Sequence, residues 1–420
     1  MPADVRPARP QPLAHRFAGR LAPVPGLAAC VRAARRLAGP VLAAPVLAVL
    51  AATIAAGLAG CGTQSQAGNV IAVSAGACGT GWRQVSAGMQ TFQIRNSGTG
   101  GAEVDLINPA SGAIYAEVAG LGPGMARPMR VDLGSGRYAF RCLIQDTGPL
   151  TGPAVRVGGH HQGAPAILPV TTDDLLGPAR VYHAYVTAGL NTLVRQVGVL
   201  TARIRAGHLI AARAAWLPAH LTYERLGAAY GAFGNYDTAI DGRPDGLPRG
   251  LSDPAFTGFY RIEYGLWHGQ GARELDGPAA RLNASVRTLR GFWPGMEIGL
   301  PDLGLRTHEI LENALQFQLT GHDDYGSGTT LATTAANITG TRELLAVLHP
   351  LLAARYPALP AVGPGLDRLG RLVTAERGPG GRWTPVRRLS TGQREQIDAA
   401  AGQVLQELAP IASITEPRRS

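Results

Sequence analysis

The sequence predicts a multidomain protein, with an N-terminal all-β Greek-key sandwich followed by a C-terminal all-α domain arranged as a double helical bundle. Three observations predict it. The chain has 420 residues, which is long for one domain. Short alternating or β-rich runs recur between residues 69 and 159, with turn residues between them. From Thr172 the apolar period becomes helical and stays so to about residue 415. Apolar residues at 45% and charged residues at 16% suit a globular core, while 56 Gly and 31 Pro leave generous loops.

Residues 1–60 read as a signal peptide. Arg32, Arg35 and Arg36 precede an uncharged stretch, residues 37–60, that ends in Leu58-Ala59-Gly60-Cys61. This ending resembles the bacterial lipobox, in which the Cys becomes the lipidated N-terminus. Cys61 is therefore expected to carry a lipid and residues 61–68 to form a lipid-anchored tether, on the outer face of the plasma membrane. The alternative is a signal anchor, since roughly 20 apolar residues span a bilayer.

The net charge of +10 comes entirely from arginine, for the chain contains no lysine. Seven arginines against Asp4 give residues 1–36 a charge of +6, which leaves +4 for the remainder. A mild charge without a basic run argues against nucleic acid as a partner.

Four cysteines are present. Cys30 lies in the leader and Cys61 is the anchor, so Cys78 and Cys142 remain. In an oxidising compartment such a pair is expected as a disulfide. The alternative is a second metal site, rich in oxygen and sulfur, from Cys78, Glu103 and Cys142 with Glu117 and Asp146. It would take copper or another divalent metal.

Strands are expected at 70–74, 91–96, 103–108, 113–118, 129–133, 137–142 and 154–157. Turn signals such as Asn96-Ser97-Gly98 and Gly134-Ser135-Gly136 separate them. Tyr138-Ala139-Phe140-Arg141-Cys142, following Gly122-Pro123-Gly124, resembles the end of a cupredoxin domain. A blue-copper centre needs two histidines, and none occurs between Cys61 and Gly159. The expectation is a cupredoxin-like domain at 69–159 without the electron-transfer site. Residues 160–171, with the pair His160-His161, read as a linker.

Helices are expected at about 173–206, 208–234, 254–268, 276–290, 303–320, 328–354, 364–375 and 391–412, within an all-α domain at 172–415. Thr172 with Asp173 and Asp174 is expected to cap the first. Pro218 is expected to kink the second.

The chemistry sits on these helices, because bundle ligands project inward from facing elements. His220 and Glu224 are i,i+4 and share a face. Asp237 lies in Asn235-Tyr236-Asp237-Thr238-Ala239-Ile240-Asp241. Tyr260 and Glu263 are i,i+3, as are Glu309 and Glu312. Carboxylates with a His and a Tyr form a hard, oxygen-rich set that suits iron, as Fe2+ or Fe3+, better than a soft metal.

These segments resemble the imelysin-domain iron-uptake lipoproteins of the EfeO/EfeM type. The resemblance is carried by the stretches at 220–225, 256–268, 308–321 and 324–337. It implies an imelysin-type double bundle, and a role in capturing iron outside the membrane for an iron permease. A haem-dependent, dye-decolorising type peroxidase of the same system is implied as a further partner. The family's metal motif is Gly-x-His-x-x-Glu. Here Gly258-Phe259-Tyr260-Arg261-Ile262-Glu263 occupies it, so Tyr260 stands where the motif has His. Glu263, Glu224 and Asp237 carry over, and Glu309 and Glu312 follow. The resemblance implies a binding protein, not an enzyme. Two alternatives remain: a metallopeptidase, for which His308-Glu309-Ile310-Leu311-Glu312 lacks the second His of the zinc motif, and a copper or redox protein acting through the β domain.

Overall fold

The computed structural model describes residues 69–418, apart from 83 and 84. The leader, the Cys61 lipidation site and the tether lie outside the described residues. No helix among the described residues is long and apolar enough to cross a membrane.

Residues 69–157 form a sandwich of two sheets. Its strands are β1 Asn69–Ser74, β2 Ala77–Thr80, β3 Gly88–Asn96, β4 Ala102–Ile107, β5 Ile114–Leu121, β6 Ala126–Leu133, β7 Gly136–Ile144, β8 Leu150–Thr151 and β9 Val155–Val157. One sheet runs β2-β1-β3-β6; the other runs β5-β4-β7-β8, with β9 also paired to β7. β1 and β3 are parallel, whereas the other pairs are antiparallel. Alternation puts Ile71, Val73, Phe92, Ile94, Val104, Leu106 and Phe140 between the sheets, where all are buried. Asn96 is buried too, yet fully used: its Nδ2 donates to the Gly100 and Leu121 carbonyls and its Oδ1 accepts from the Gly98 amide. This amide ties the β3–β4 turn to the end of β5.

Cys78 on β2 and Cys142 on β7 form a disulfide that joins the two sheets. Oxidised sulfurs are not thiolates, so the O/S-rich metal site is overturned in this structure. Asp146 lies in an exposed turn. Glu103 and Glu117 instead gather around Asp105. Arg141 bonds Asp105 at 2.8 Å, and Arg418 from the C-terminus pairs with Glu117.

The expected linker is not free. The Ala164 amide donates to the Asp132 carbonyl, and Ile167 bridges to Ile114 of β5. At its far end, Arg355 donates to the Leu168 and Pro169 carbonyls.

The helical domain contains α1 Thr172–Arg205, α2 Leu209–Glu224, α3 Tyr230–Phe233, α4 Asn235–Asp241, α5 Gly258–Trp267, α6 Ala272–Phe292, α7 Leu300–Asn313, α8 Thr330–Ala353, α9 Leu359–Ala375 and α10 Thr391–Ile414. The α1 cap sits one residue earlier than expected. Thr171 accepts from the Asp174 amide, and the Asp174 carboxylate returns to the Thr171 amide, a box that needs its acid at the third helical position. α2 continues through Pro218 and ends at Glu224.

α1 packs on α2 and α6, and α5 on α6, which makes one bundle. α7 packs on α8 and α10, and α9 on both of these, which makes the second. Leu190, Leu193, Val197, Leu282, Val286, Leu344, Leu348, Val404 and Leu408 are fully buried in the continuous core. The bundles meet where α2 packs on α8. Gly340 of α8 makes that approach possible, since a Cβ there would lie 2.7 Å from the Arg225 carbonyl oxygen.

Candidate metal centre

The candidate centre lies at this bundle–bundle junction. The last turn of α2 presents His220 and Glu224, one helical turn apart. The short helix α4 presents Asp237 and Asp241 at the same spacing. His220 Nε2 lies 3.0 Å from Glu224 Oε1 and 3.1 Å from Asp241 Oδ1. All three groups offer a ligand atom within 4.8 Å of the others.

The surroundings fix each member. Trp216 stacks on His220 at 4.8 Å, with Phe259 and Tyr260 on its other sides. Asn337 of α8 donates to Glu224 Oε2 at 2.9 Å. Tyr223 donates to Asp237 Oδ1 at 2.5 Å. Gly258 sets the start of α5 against the end of α4. Its φ is +84°, and a Cβ there would sit 2.2 Å from the Ile240 carbonyl oxygen. That close approach is a physical reason for the glycine that opens the motif.

Burial alone would lower the His220 pKa, but Asp241 and Glu224 outweigh it and hold the ring protonated well above its ordinary range. Burial raises Asp241, against the pull of His220. It also raises Asp237, Tyr223, Tyr230 and Tyr260, so these phenols are firmly protonated until something cationic arrives.

A cavity of about 220 Å³ opens beside this cluster. Glu224, Asp237, Asp241, Tyr230, Tyr260 and Asn337 line it, together with Asp323, Arg243 and Arg306. Asp323 is almost fully buried. It accepts from Tyr260, Gln318 and Arg243 through Oδ2, while its Oδ1 is buried without a partner. Burial pushes its pKa up to about 6. Gln318 reaches it from a π-helical turn, Ala314–Gln318, that continues α7; such turns recur at functional sites.

The structure thus brings His220, Glu224, Asp237 and Tyr260 to one place. Glu263 is next to it but outside the cavity wall. The Ser327 amide donates to its Oε1, its Oε2 is buried without a partner, and burial pushes it up to about 7.

Glu309 and Glu312 are not brought in. α7 turns Arg306, Ile310 and Asn313 toward the cavity, three positions at helical spacing. Glu309 and Glu312 fall on the neighbouring face, where they pair with Arg306 and His308.

Sequence reasoning missed Asp323 and Arg243. Both come from loops that carry no periodic signal. Asp241 was within reach, since its i,i+4 spacing from Asp237 copies that of His220 and Glu224.

One imidazole and several carboxylates around a common point form a hard, oxygen-rich donor set. His220 Nε2 lies between the Glu224 and Asp241 carboxylates, at 3.0 and 3.1 Å. The orphaned Asp323 Oδ1 and Asn337 Oδ1 add unsatisfied acceptors for a cation or its waters. The residues present fit a hard metal ion.

Residues 179–362 match the imelysin family model, whose label also carries the word peptidase. The chain is 26% identical over 335 residues to an iron uptake system component EfeO of Yersinia pestis, covering 79% of this chain and 86% of that protein. It is 28% identical over 284 residues to the EfeO of Escherichia coli strain K12, covering 66% and 72% respectively. Within the helical domain, residues 179–362 are similar to the imelysin family, and most of the chain is similar to the EfeO iron uptake components.

Proposed function

We propose that this protein is an extracytoplasmic, lipid-anchored iron-binding protein that captures iron between its two bundles and delivers it to a membrane permease. A haem-dependent peroxidase would act in the same system. One observation carries the reading: the buried His220 and Glu224 converge with the partly buried Asp241 beside an acid-lined cavity. The similarity to proteins named as iron uptake components supports the choice of iron over other hard cations. Cys61 and the leader support the location.

The binding role follows from the residues. Glu224 and Asp241 supply charge, His220 a nitrogen, and Asn337 holds Glu224 in place from the opposite bundle. Asp237, Asp323 and Tyr260 surround the incoming ion. Such a ligand set must shed protons to bind, so capture and release respond to pH.

Titration of the purified protein with Fe(II) and with Fe(III) tests this. Glu224→Gln and Asp241→Asn should each weaken iron binding by about tenfold or more. Unchanged titrations in both variants would overturn the assignment. The peptidase label is tested in parallel: casein cleavage abolished by a chelator and by Glu309→Gln would replace this reading with a metallopeptidase.

A further inference from the structure

We infer that the cavity is a two-part site, in which a small oxyanion binds beside the metal and is held by Arg306 and Arg243. This rests on the iron-binding reading above. The chemistry required is that of carbonate, phosphate or a carboxylate.

The cavity is larger than an ion needs. It measures about 220 Å³, whereas each water-sized group takes roughly 30 Å³. Room for several further groups remains beside a bound ion.

Its polarity is layered. The side chains of His220, Glu224 and Asp323 are 1%, 5% and 2% exposed, whereas those of Arg306 and Arg243 are 24% and 34% exposed. Among the lining groups Glu224 and Asp323 therefore lie deepest, Asp241 is 12% exposed, and the guanidinium groups stand nearer solvent. A cation at the inner end would bind His220, Glu224 and Asp241. Tyr223 already engages Asp237, and Gln318, Tyr260 and Arg243 engage Asp323 Oδ2. Hard ions take up to about six ligands. The open positions would face the arginines.

Arginines so placed need an explanation. Arg306 makes no ion pair with the cavity acids and acts on Asp237 only through space; its ion pair goes to Glu309 outside the cavity, and its Nε is buried without a partner. Arg243 is fixed flat over Phe317 at 3.6 Å, with one end on Asp323. A guanidinium facing a bare metal ion repels it. An oxyanion between them reverses the sign, because its oxygens coordinate the metal on one side and accept the guanidinium fork on the other.

The test uses the whole protein and Fe(II) chloride under anaerobic conditions, in a chelator-free buffer without carbonate. Iron affinity is measured with and without added bicarbonate, phosphate or citrate. Anion retained per iron is counted after gel filtration. At least one of these anions should raise iron affinity by about tenfold and remain bound one per iron. Arg306→Gln should abolish both effects. Should that variant fail to fold, Arg306→Lys keeps the charge, loses the fork, and should lose most of the enhancement. Equal affinity in all anions overturns the inference while leaving iron binding in place. So does an enhancement that persists undiminished in the Arg306 variants. A protein that takes up no iron in any buffer overturns the functional reading and this inference together.

Discussion

Metal-free protein should be more stable at pH 5 than at pH 8, and two of the buried acids give a lower bound on the effect. Glu263 rises from 4.5 in the open chain to about 7 when folded, and Asp323 from 3.8 to about 6. Burial is the main cause in both. A raised carboxylate pKa means that the folded state binds the proton more tightly than the unfolded chain does. Its contribution is complete below the unfolded pKa and is lost as pH climbs through the folded one. At roughly 1.36 kcal/mol per unit, each contributes on the order of 1–3 kcal/mol between pH 5 and pH 8, the larger share from Glu263. The His220–Asp241 pair adds in the same direction, since both members are raised. Asp174 opposes them, being lowered by its cap bonds, but it is partly exposed and its share is small. A loss of roughly 4 kcal/mol corresponds to a drop in melting temperature on the order of 10 °C for a domain of this size. The assay is thermal unfolding of chelator-treated protein followed by tryptophan fluorescence, because Trp216, Trp267, Trp293 and Trp383 report the bundles and only Trp82 the sandwich. Glu263→Gln should flatten more than half of the slope that Glu263 and Asp323 supply. A transition temperature that is level or rises from pH 5 to pH 8, or a slope unmoved by Glu263→Gln, would refute the reasoning.

Iron affinity should run the other way, falling as pH drops toward 5, because protons then compete for the same carboxylates; a pH series of titrations reads this directly. Glu309→Gln and Glu312→Gln should leave iron affinity within about twofold of wild type, since surface ion pairs contribute under ~1 kcal/mol and neither side chain reaches the cavity. Replacing Cys142 by Ala should destabilise the sandwich by roughly 4 kcal/mol, the chain-entropy value for a loop of this length, and leave iron binding unchanged; chemical denaturation followed at Trp82 checks it.

Much of this architecture was legible because it is periodic. Seven of the nine strands and the long helices announce themselves by alternation or by helical spacing. The two missed strands, β2 and β8, have four and two residues, too short to show a period. The break after Glu224 was also hidden. Residues 208–234 keep a helical apolar pattern, while the chain in fact leaves α2 at Glu224 and re-forms short turns that swing α4 across its end. That swing is a tertiary event, set by Gly258 against Ile240 and Gly340 against Arg225, and no local signal records it. Glu309 and Glu312 erred for the opposite reason. Their spacing was correct for a shared helical face, but spacing alone does not say which face turns inward; Arg306, Ile310 and Asn313 took that side.

The pH argument and the site argument come from one source. Four carboxylates, those of Glu224, Asp237, Asp241 and Asp323, stand around a single cavity, and the desolvation that raises Asp237, Asp241 and Asp323 weakens the empty fold. Well-packed apolar residues at the same positions would give a firmer junction between the bundles. A bound cation removes the penalty, and the stability recovered on binding is part of its affinity. Tyr260 fits this pattern. Its hydroxyl donates to Asp323 and leaves Asp323 Oδ1 open, so the residue that departs from the family motif still orients an acid at the cavity. With Tyr260 in place, Glu224, Asp237, Asp241 and Asp323 still line the cavity.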